Sequence, residues 1–273
     1  MFEIEQKFRL SDPAIFLNML ASQTVLEVVW EKCVVETDTY FRHPARDFVV
    51  TDEALRVRRH VTFTGHQPTE NNVEINAENN AENNCAENLA ENNANNSILN
   101  CPKTAEAECL ITYKGPRLDR ETKIRKELEL PLCTKTTLAP THFAGFGVSA
   151  PTAEECAAPD LFERLDTQLD AQEETSIFRK WAEMLTLLGF QPVRNVCKIR
   201  HKAWTQWQGA RVEFSFDIVP PVGTFVELEF LAENEESIST VKEKLLSLSD
   251  FLKLKEVEHR SYLALLMSHT NHT

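Results

Sequence analysis

The chain has 273 residues, 42% of them hydrophobic and 26% charged, with a formal net charge of −13. That length suits one large domain or two small ones, and no apolar run approaches the roughly 20 residues that a membrane-crossing helix needs. There are only 7 glycines, and neither G-x-G-x-x-G nor G-x-x-x-x-G-K-[ST] occurs, which argues against the common glycine-rich nucleotide cradles. The 7 cysteines are odd in number and form no C-x-x-C pair, so neither a disulfide framework nor a zinc site is expected. No basic, then apolar leader opens the sequence. A reducing cytoplasm is the expected location.

The first predicted element, Phe2–Leu10, is a strand whose side chains alternate between two faces. Glu3, Glu5, Lys7 and Arg9 share one face; Phe2, Ile4, Phe8 and Leu10 take the other, with Gln6 the exception. A helix over 13–22 follows, with Ser11 or Asp12 as N-cap and Pro13 in its first turn. Strand alternation returns at Leu55–His60, where Arg56 and Arg58 oppose Leu55 and Val57.

The segment 64–107 breaks the pattern. It holds seven acids and one base, repeats AENN or a close variant four times between 77 and 93, and has no aromatic residue from 71 to 100. Such a composition offers too little apolar surface to offset the entropy of ordering, so a disordered insertion is expected. An Asn-rich interaction tract is the alternative.

Cys109–Lys114 is the next strand candidate, closing on a Gly115-Pro116 turn. In Lys123–Leu130, the residues Lys123, Arg125, Glu127 and Glu129 oppose Ile124, Leu128 and Leu130. A second acidic insertion, 134–174, with eight acids and two bases, is expected to be loop with one short helix over 161–169. A helix over 177–188 then places Ile177, Trp181, Leu185 and Leu188 on one stripe and stops at Gly189; Trp181, Met184 and Leu188 are assigned to the core.

Three more strands follow. In Val196–Ala203, Lys198, Arg200 and Lys202 oppose Cys197, Ile199 and Ala203; in Val212–Ile218, Glu213 and Asp217 share a face; in Phe225–Leu231, Glu227 and Glu229 do. Amphipathic helices over 236–248 and 259–268 complete the chain. His43, His60, His66 and His201 are scattered and are assigned to surface or packing roles.

Any one of these strands fits a half-solvated antiparallel sheet. Taken together, the polar faces are unusually dense in charge, often with like charges at i and i+2, which repel unless acids, bases, metals or an anionic ligand converge on them. A sheet closed into a barrel with a polar lumen arranges that convergence and removes its own edges. The fold class expected is therefore α+β, an antiparallel β-barrel with amphipathic helices packed outside.

Paired glutamates at i and i+2 lie about 7 Å apart by strand rise and suit hard divalent cations. Paired Arg and Lys suit phosphates. A divalent metal with a ring of bases is a polyphosphate site with little need for a protein nucleophile, and the sequence offers no G-x-S-x-G motif and no convincing Cys/His pair for acyl transfer. No basic patch outside this face indicates nucleic acid.

The run Glu3-Ile4-Glu5-Gln6-Lys7 resembles the E-x-E-x-K signature of the CYTH superfamily, the class IV adenylate cyclases, thiamine triphosphatases and other triphosphate tunnel metalloenzymes. The similarity continues through Asp38-Thr39-Tyr40-Phe41, Leu55–Arg59, Thr112–Pro116, Arg125–Glu129, Lys198-Ile199-Arg200, Asp217, Phe225–Glu229 and Arg260–Leu266. It covers almost everything except the two insertions and implies a single domain over 1–268 folded as an eight-stranded tunnel. By that resemblance Lys7, Arg56, Arg58, Lys114, Arg125, Lys198 and Arg200 grip a triphosphate. Glu3, Glu5, Asp217, Glu227 and Glu229 hold Mg²⁺ or Mn²⁺, with Glu127 and Glu129 supporting charge balance or a second metal. Tyr40 is placed near the attacking water, and Lys7 beside the reacting phosphate.

The resemblance implies a small-molecule triphosphate as partner and neither nucleic acid nor membrane; a monomer and a homodimer fit equally. The whole sequence is most similar to bacterial class IV cyclase-like proteins. The family's cyclases, however, carry a His-Phe pair shortly before E-x-E-x-K, and none precedes Glu3 here. Hydrolysis of a triphosphate tail is therefore the expected activity. Cyclisation of ATP to cAMP and pyrophosphate is the alternative, and non-catalytic polyphosphate or nucleotide binding a further one.

Overall fold

A computed structural model describes residues 2–64, 104–116, 126–138, 151, 156 and 176–269, without the side chains of Glu3, Thr64, Thr104 and Ser176. In chain order the elements are β1 (Phe2–Leu10), α1 (Pro13–Ser22), β2 (Val29–Arg42), α2 (Phe48–Thr51), β3 (Ala54–Thr64), β4 (Thr104–Lys114), β5 (Glu127–Pro131), β6 (Thr136–Leu138), α3 (Ser176–Leu187), β7 (Gln191–Trp207), β8 (Ala210–Val219), β9 (Gly223–Ala232), α4 (Ile238–Phe251) and α5 (Tyr262–His269). All described pairings are antiparallel.

The sheet has nine strands rather than eight, in the order β1-β9-β8-β7-β2-β3-β4-β5, with β6 also on β4. Among the described residues no pairing joins β5 back to β1. Part of the outer edge of β1 has another partner. The Glu256–Glu258 segment takes it through Arg9 N to Glu256 O and Glu258 N to Lys7 O, both 2.8 Å, around a Phe8–Val257 bridge. At the other end every residue of β5 is exposed. The α+β class holds, whereas the expected eight-stranded ring is, among the described residues, a nine-stranded path with no pairing that closes it.

The two-face alternation produces the core. Phe8, Phe214, Phe216, Val226, Leu228 and Phe230 point away from the charged residues and join Phe16 and Leu20 of α1 and Val241, Leu245 and Leu248 of α4. The helix α1 starts where expected, with the Asp12 carboxylate accepting from Ile15 N at 3.0 Å and Pro13 in the first turn. On the opposite part of the same face, Phe178 and Leu185 of α3 pack on Val57, Leu55, Phe41 and Cys109. The stripe of α3 centres on Phe178 and Leu185, one heptad apart, with Trp181 partly buried against them. Met184 and Leu188 lie at its margin and are exposed, correcting their assignment to the core.

Two strands extend into the segments expected to be insertions. β4 begins at Thr104, and Ala105 and Ala107 are buried; Thr136–Leu138 forms β6 on Ala105–Ala107. Residues 65–103, the expected helix over 161–169, His66 and Arg125 lie outside the described residues.

Candidate functional site

Strand register brings the charged side chains together on one face. Glu36 and Asp38 of β2 stand between Lys198 of β7 and His60 and Arg58 of β3. The Arg58 guanidinium donates to Asp38 at 2.6 and 2.8 Å and to Glu36 at 2.8 Å. Lys198 Nζ reaches Glu36 at 2.8 Å, Arg56 donates to Asp38 at 3.0 Å, and His60 Nδ1 lies 3.4 Å from Glu36. Glu36, Asp38, Arg56, Arg58 and Lys198 are all buried. His60 therefore faces this network, not a packing layer.

Burial disfavours ionisation of Glu36, but the charges of Lys198 and Arg58 outweigh it and hold the carboxyl well below the ordinary carboxylate range. Asp38 is held down in the same way, burial being overcome by Arg58 and Arg56.

A second cluster occupies β7, β8 and β9. Asp217 accepts from Arg200 Nε and Nη2 at 2.6 and 2.5 Å and from the Tyr262 hydroxyl at 2.7 Å. Arg200 also donates to Glu227, and the Tyr262 hydroxyl lies 3.3 Å from the same carboxylate. Burial opposes the charge of Glu227, yet Arg200 keeps its carboxyl below the usual value, while the neighbouring Glu5 pushes it back up. The Tyr262 ring carries Lys7 Nζ 4.1 Å from its centroid, and Lys7 donates to Arg260 O at 2.6 Å. Burial and the carboxylates of Asp217 and Glu227 raise the Tyr262 hydroxyl well above a normal phenol.

Glu5, Glu229 and Glu213 are direct partners across β1, β9 and β8. Like charges opposed on three adjacent strands repel; Lys202 answers Glu213 at 2.7 Å, and a divalent cation can add to that balance. Among the described residues, however, no group of three or more His, Cys, Asp or Glu side chains is already arranged to hold a metal ion. Mg²⁺ needs less: it is commonly held by one or two carboxylates, substrate phosphates and waters. The oxygen-only donors of this row fit that habit.

Of the residues expected from the sequence, Lys7, Arg56, Arg58, Lys198, Arg200, Asp217 and Glu227 come together in the two clusters, and Glu5 and Glu229 adjoin the second. Glu3 sits on β1 opposite Leu231 by register, its side chain outside the described set. Glu129 accepts from Thr112 Oγ1 at 2.8 Å and lies 4.0 Å from Arg56, at the edge of the first cluster. Lys114, half-buried on β4, pairs at 2.9 Å with Glu127 of the exposed strand β5. Tyr40 receives a 3.4 Å contact from Arg56, and burial raises its hydroxyl above the normal phenol value. A phenol held protonated can orient a water by hydrogen bonding but is a poor base.

Sequence reasoning missed Glu36, Tyr262 and the roles of Asp38 and His60. Asp38 and Tyr262 fell within matched runs without a stated role, and Glu36 lies just outside one.

The family model of the CYTH domain matches residues 1–262. None of the curated proteins compared matches the sequence. Among solved structures, a protein from Pyrococcus horikoshii OT3 is similar over 98% of this chain and 99% of its own, at 24% identity and a TM-score of 0.56. A protein from Vibrio parahaemolyticus named "putative adenylate cyclase" is similar over 98% of each chain, at 17% identity and a TM-score of 0.50.

Proposed function

The chain belongs to the CYTH domain family, and from that premise we propose that it hydrolyses the triphosphate tail of an inorganic or organic triphosphate with the help of Mg²⁺ or Mn²⁺. The observation that carries this is the convergence of five cations, Lys7, Arg56, Arg58, Lys198 and Arg200, on one sheet face beside a row of carboxylates.

Arg56, Arg58, Lys198 and Arg200 are paired with carboxylates in the structure. An entering triphosphate offers Arg56, Arg58 and Lys198 stronger acceptors than Glu36 and Asp38, since phosphate oxygens match the guanidinium fork in pairs. Lys7, which donates to the Arg260 carbonyl and lies over the Tyr262 ring, turns from them to reach the chain. Glu5, Glu227 and Glu229 are the ligands we assign to the metal, with Asp217 beside them and Glu3 on the same strand as Glu5. The metal would neutralise phosphate charge and polarise the phosphorus. Tyr40, kept protonated by burial, orients the water. That water's oxygen bonds to the terminal phosphorus as the bridging P–O bond breaks, its proton passes to a phosphate oxygen of the substrate, and the displaced phosphate oxygen takes up charge beside Arg58 and Lys198. Curling of the sheet until β5 meets β1 would enclose this face as a tunnel.

The test is one assay with Mg²⁺ or Mn²⁺ that follows phosphate, pyrophosphate and cAMP from inorganic triphosphate and from ATP. Phosphate as main product is expected. Stoichiometric cAMP and pyrophosphate from ATP would replace hydrolysis by cyclisation. Tight binding without turnover would make the protein a polyphosphate binder.

A further inference from the structure

The charged face carries an aromatic ring where the alternation calls for another polar residue. Along β7, Lys198, Arg200 and Lys202 point to the charged side, while Ile199, His201 and Ala203 enter the core. The next residue on the charged side is Trp204. β7 pairs with β8 without a register shift from Ile199 to Trp207, and in the shift on its other side the extra residue is Glu31 of β2, so the indole keeps its face. It remains partly exposed. By register it lies beside Glu213, and through Glu213 in line with Glu229 and Glu5.

The ring has a replaceable cover. The Arg211 guanidinium stands 4.9 Å from the Trp204 centroid. Its side chain is 66% exposed, and its link to Glu31, at 3.4 Å, joins two solvent-accessible groups. Such contacts are weak and screened. Trp204 and Arg211 are brought together by the β7–β8 turn, where Gln208 and Gly209 both have positive φ, 47° and 74°. That is the two-residue hairpin geometry that glycine favours.

Spacing then matters. Trp204 is two residues from Lys202 and four from Arg200, about 7 and 13 Å along the strand by its rise. A planar group stacked on the indole can send a phosphate chain past Lys202, which pairs with Glu213 at 2.7 Å, to Arg200.

We propose that Trp204 is a stacking platform for the planar ring of an organic triphosphate, such as a nucleoside triphosphate, which takes the place of the Arg211 guanidinium. It makes Trp204 a specificity-determining residue, and it rests on the triphosphate reading above. Inorganic triphosphate would occupy the cations without touching the ring.

The experiment compares Trp204→Ala, Trp204→Phe and wild type with ATP and with inorganic triphosphate. Stacking on an aromatic ring supports a roughly 5- to 100-fold effect. Trp204→Ala should raise KM for ATP by that factor relative to its effect on KM for inorganic triphosphate, with the larger share of the loss in KM rather than kcat. Trp204→Phe should recover most of it. If ATP is cyclised, the inhibition constant of inorganic triphosphate replaces its KM. Equal shifts for both substrates, or none for either, would overturn the platform, as would a wild type that hydrolyses inorganic triphosphate and does not take ATP. These outcomes leave the triphosphate reading standing. A wild type inert toward every triphosphate, and binding none, removes both.

Discussion

The two halves of the charged face are built from the same strand alternation but balance their charge differently. Around β2 and β3, three cations, Arg56, Arg58 and Lys198, share two carboxylates, Glu36 and Asp38. Around β8 and β9, Arg200 serves both Asp217 and Glu227, while Glu229, Glu213 and Glu5 line up beside them. The first half is a set of buried ion pairs with Glu129 4.0 Å from Arg56 as a third acid, whereas in the second one guanidinium is shared by two carboxylates beside a row of further acids. Tyr262 fits that division. Its hydroxyl donates to Asp217 and lies near Glu227, and its ring faces Lys7 and Lys198, so it touches acids at one end and bases at the other. A single substrate carrying metal on its phosphates would be drawn to the seam between the halves.

The largest effect should come from breaking the base-rich half. Arg58→Ala leaves Glu36 and Asp38 buried without the guanidinium that serves both. Removing one partner of a buried ion pair costs about 3–5 kcal/mol. For a chain of this size that is a fall in Tm of about 6–20 °C. Activity on every triphosphate should fall below detection. An Arg58→Ala protein with unchanged Tm would show that the network contributes nothing to the fold.

The acid-rich half should respond differently. Glu227→Gln keeps an acceptor for Tyr262 and eases the repulsion from Glu5. It also gives up the charge that pairs with Arg200, so stability should fall by about 1–2 kcal/mol, less than for Arg58→Ala because Asp217 still serves that guanidinium. Activity should drop by about 100-fold, and more Mn²⁺ should be needed to reach half-maximal rate. The stabilisation of the wild-type protein by Mn²⁺ together with a triphosphate, read as a rise in Tm, should shrink with it. Equal metal requirements in variant and wild type would remove Glu227 from the metal.

Acidity offers a gentler way to separate the halves. Glu36, Asp38 and Glu227 all have carboxyls lowered in the folded protein. Groups lowered on folding give their full stabilisation above the unfolded value, about 4, and lose it as pH falls through the folded value. Tm should be level between about pH 5 and 8 and fall below about pH 4. The raised phenols of Tyr40 and Tyr262 act in reverse: their contribution is complete below the unfolded value of about 10 and is lost as pH rises past it. Glu36→Gln should lower the plateau and flatten part of the acid limb. A limb of unchanged slope would assign it to other carboxylates.

Most of this architecture was legible because alternation along a strand is a local signal. β1, β7, β8 and β9 were readable from Glu5 and Lys7, Lys198 and Arg200, Asp217, and Glu227 and Glu229. β2 was not. It is flanked by β3 and β7, with Thr37 and Thr39 on its outer side as well as Glu36 and Asp38 on the inner, so its polarity does not alternate. A register shift between Trp30 and Lys32 interrupts the period further. The most heavily paired carboxylates of the site thus sit on a strand that periodicity does not reveal. Tyr262 is 45 residues from Asp217 in sequence, and only packing of α5 beside β8 and β9 unites them. The pairing of β1 with Glu256–Glu258 was equally hidden, because it leaves no mark in local pattern.

The smallest effect should come from the region farthest from either half in composition. β3 and β4 are paired without interruption up to Thr64 opposite Thr104. The ends of the hairpin therefore already meet, and a connection of a few residues can join them. Replacing 65–103 with a short Gly-Ser turn keeps Arg56, Arg58 and Thr112 in register, since their pairing is fixed farther along the same two strands. On length alone the shorter loop is favoured by about 1–2 kcal/mol, because closure entropy grows slowly with length. Activity on inorganic triphosphate should stay within about two-fold of wild type, and Tm should hold or rise slightly. A version that fails to fold would show that residues 65–103 pack against the sheet. A version that folds but loses activity would place part of that segment over the charged face, and the asymmetry between the two halves would then be only part of how the site recognises its substrate.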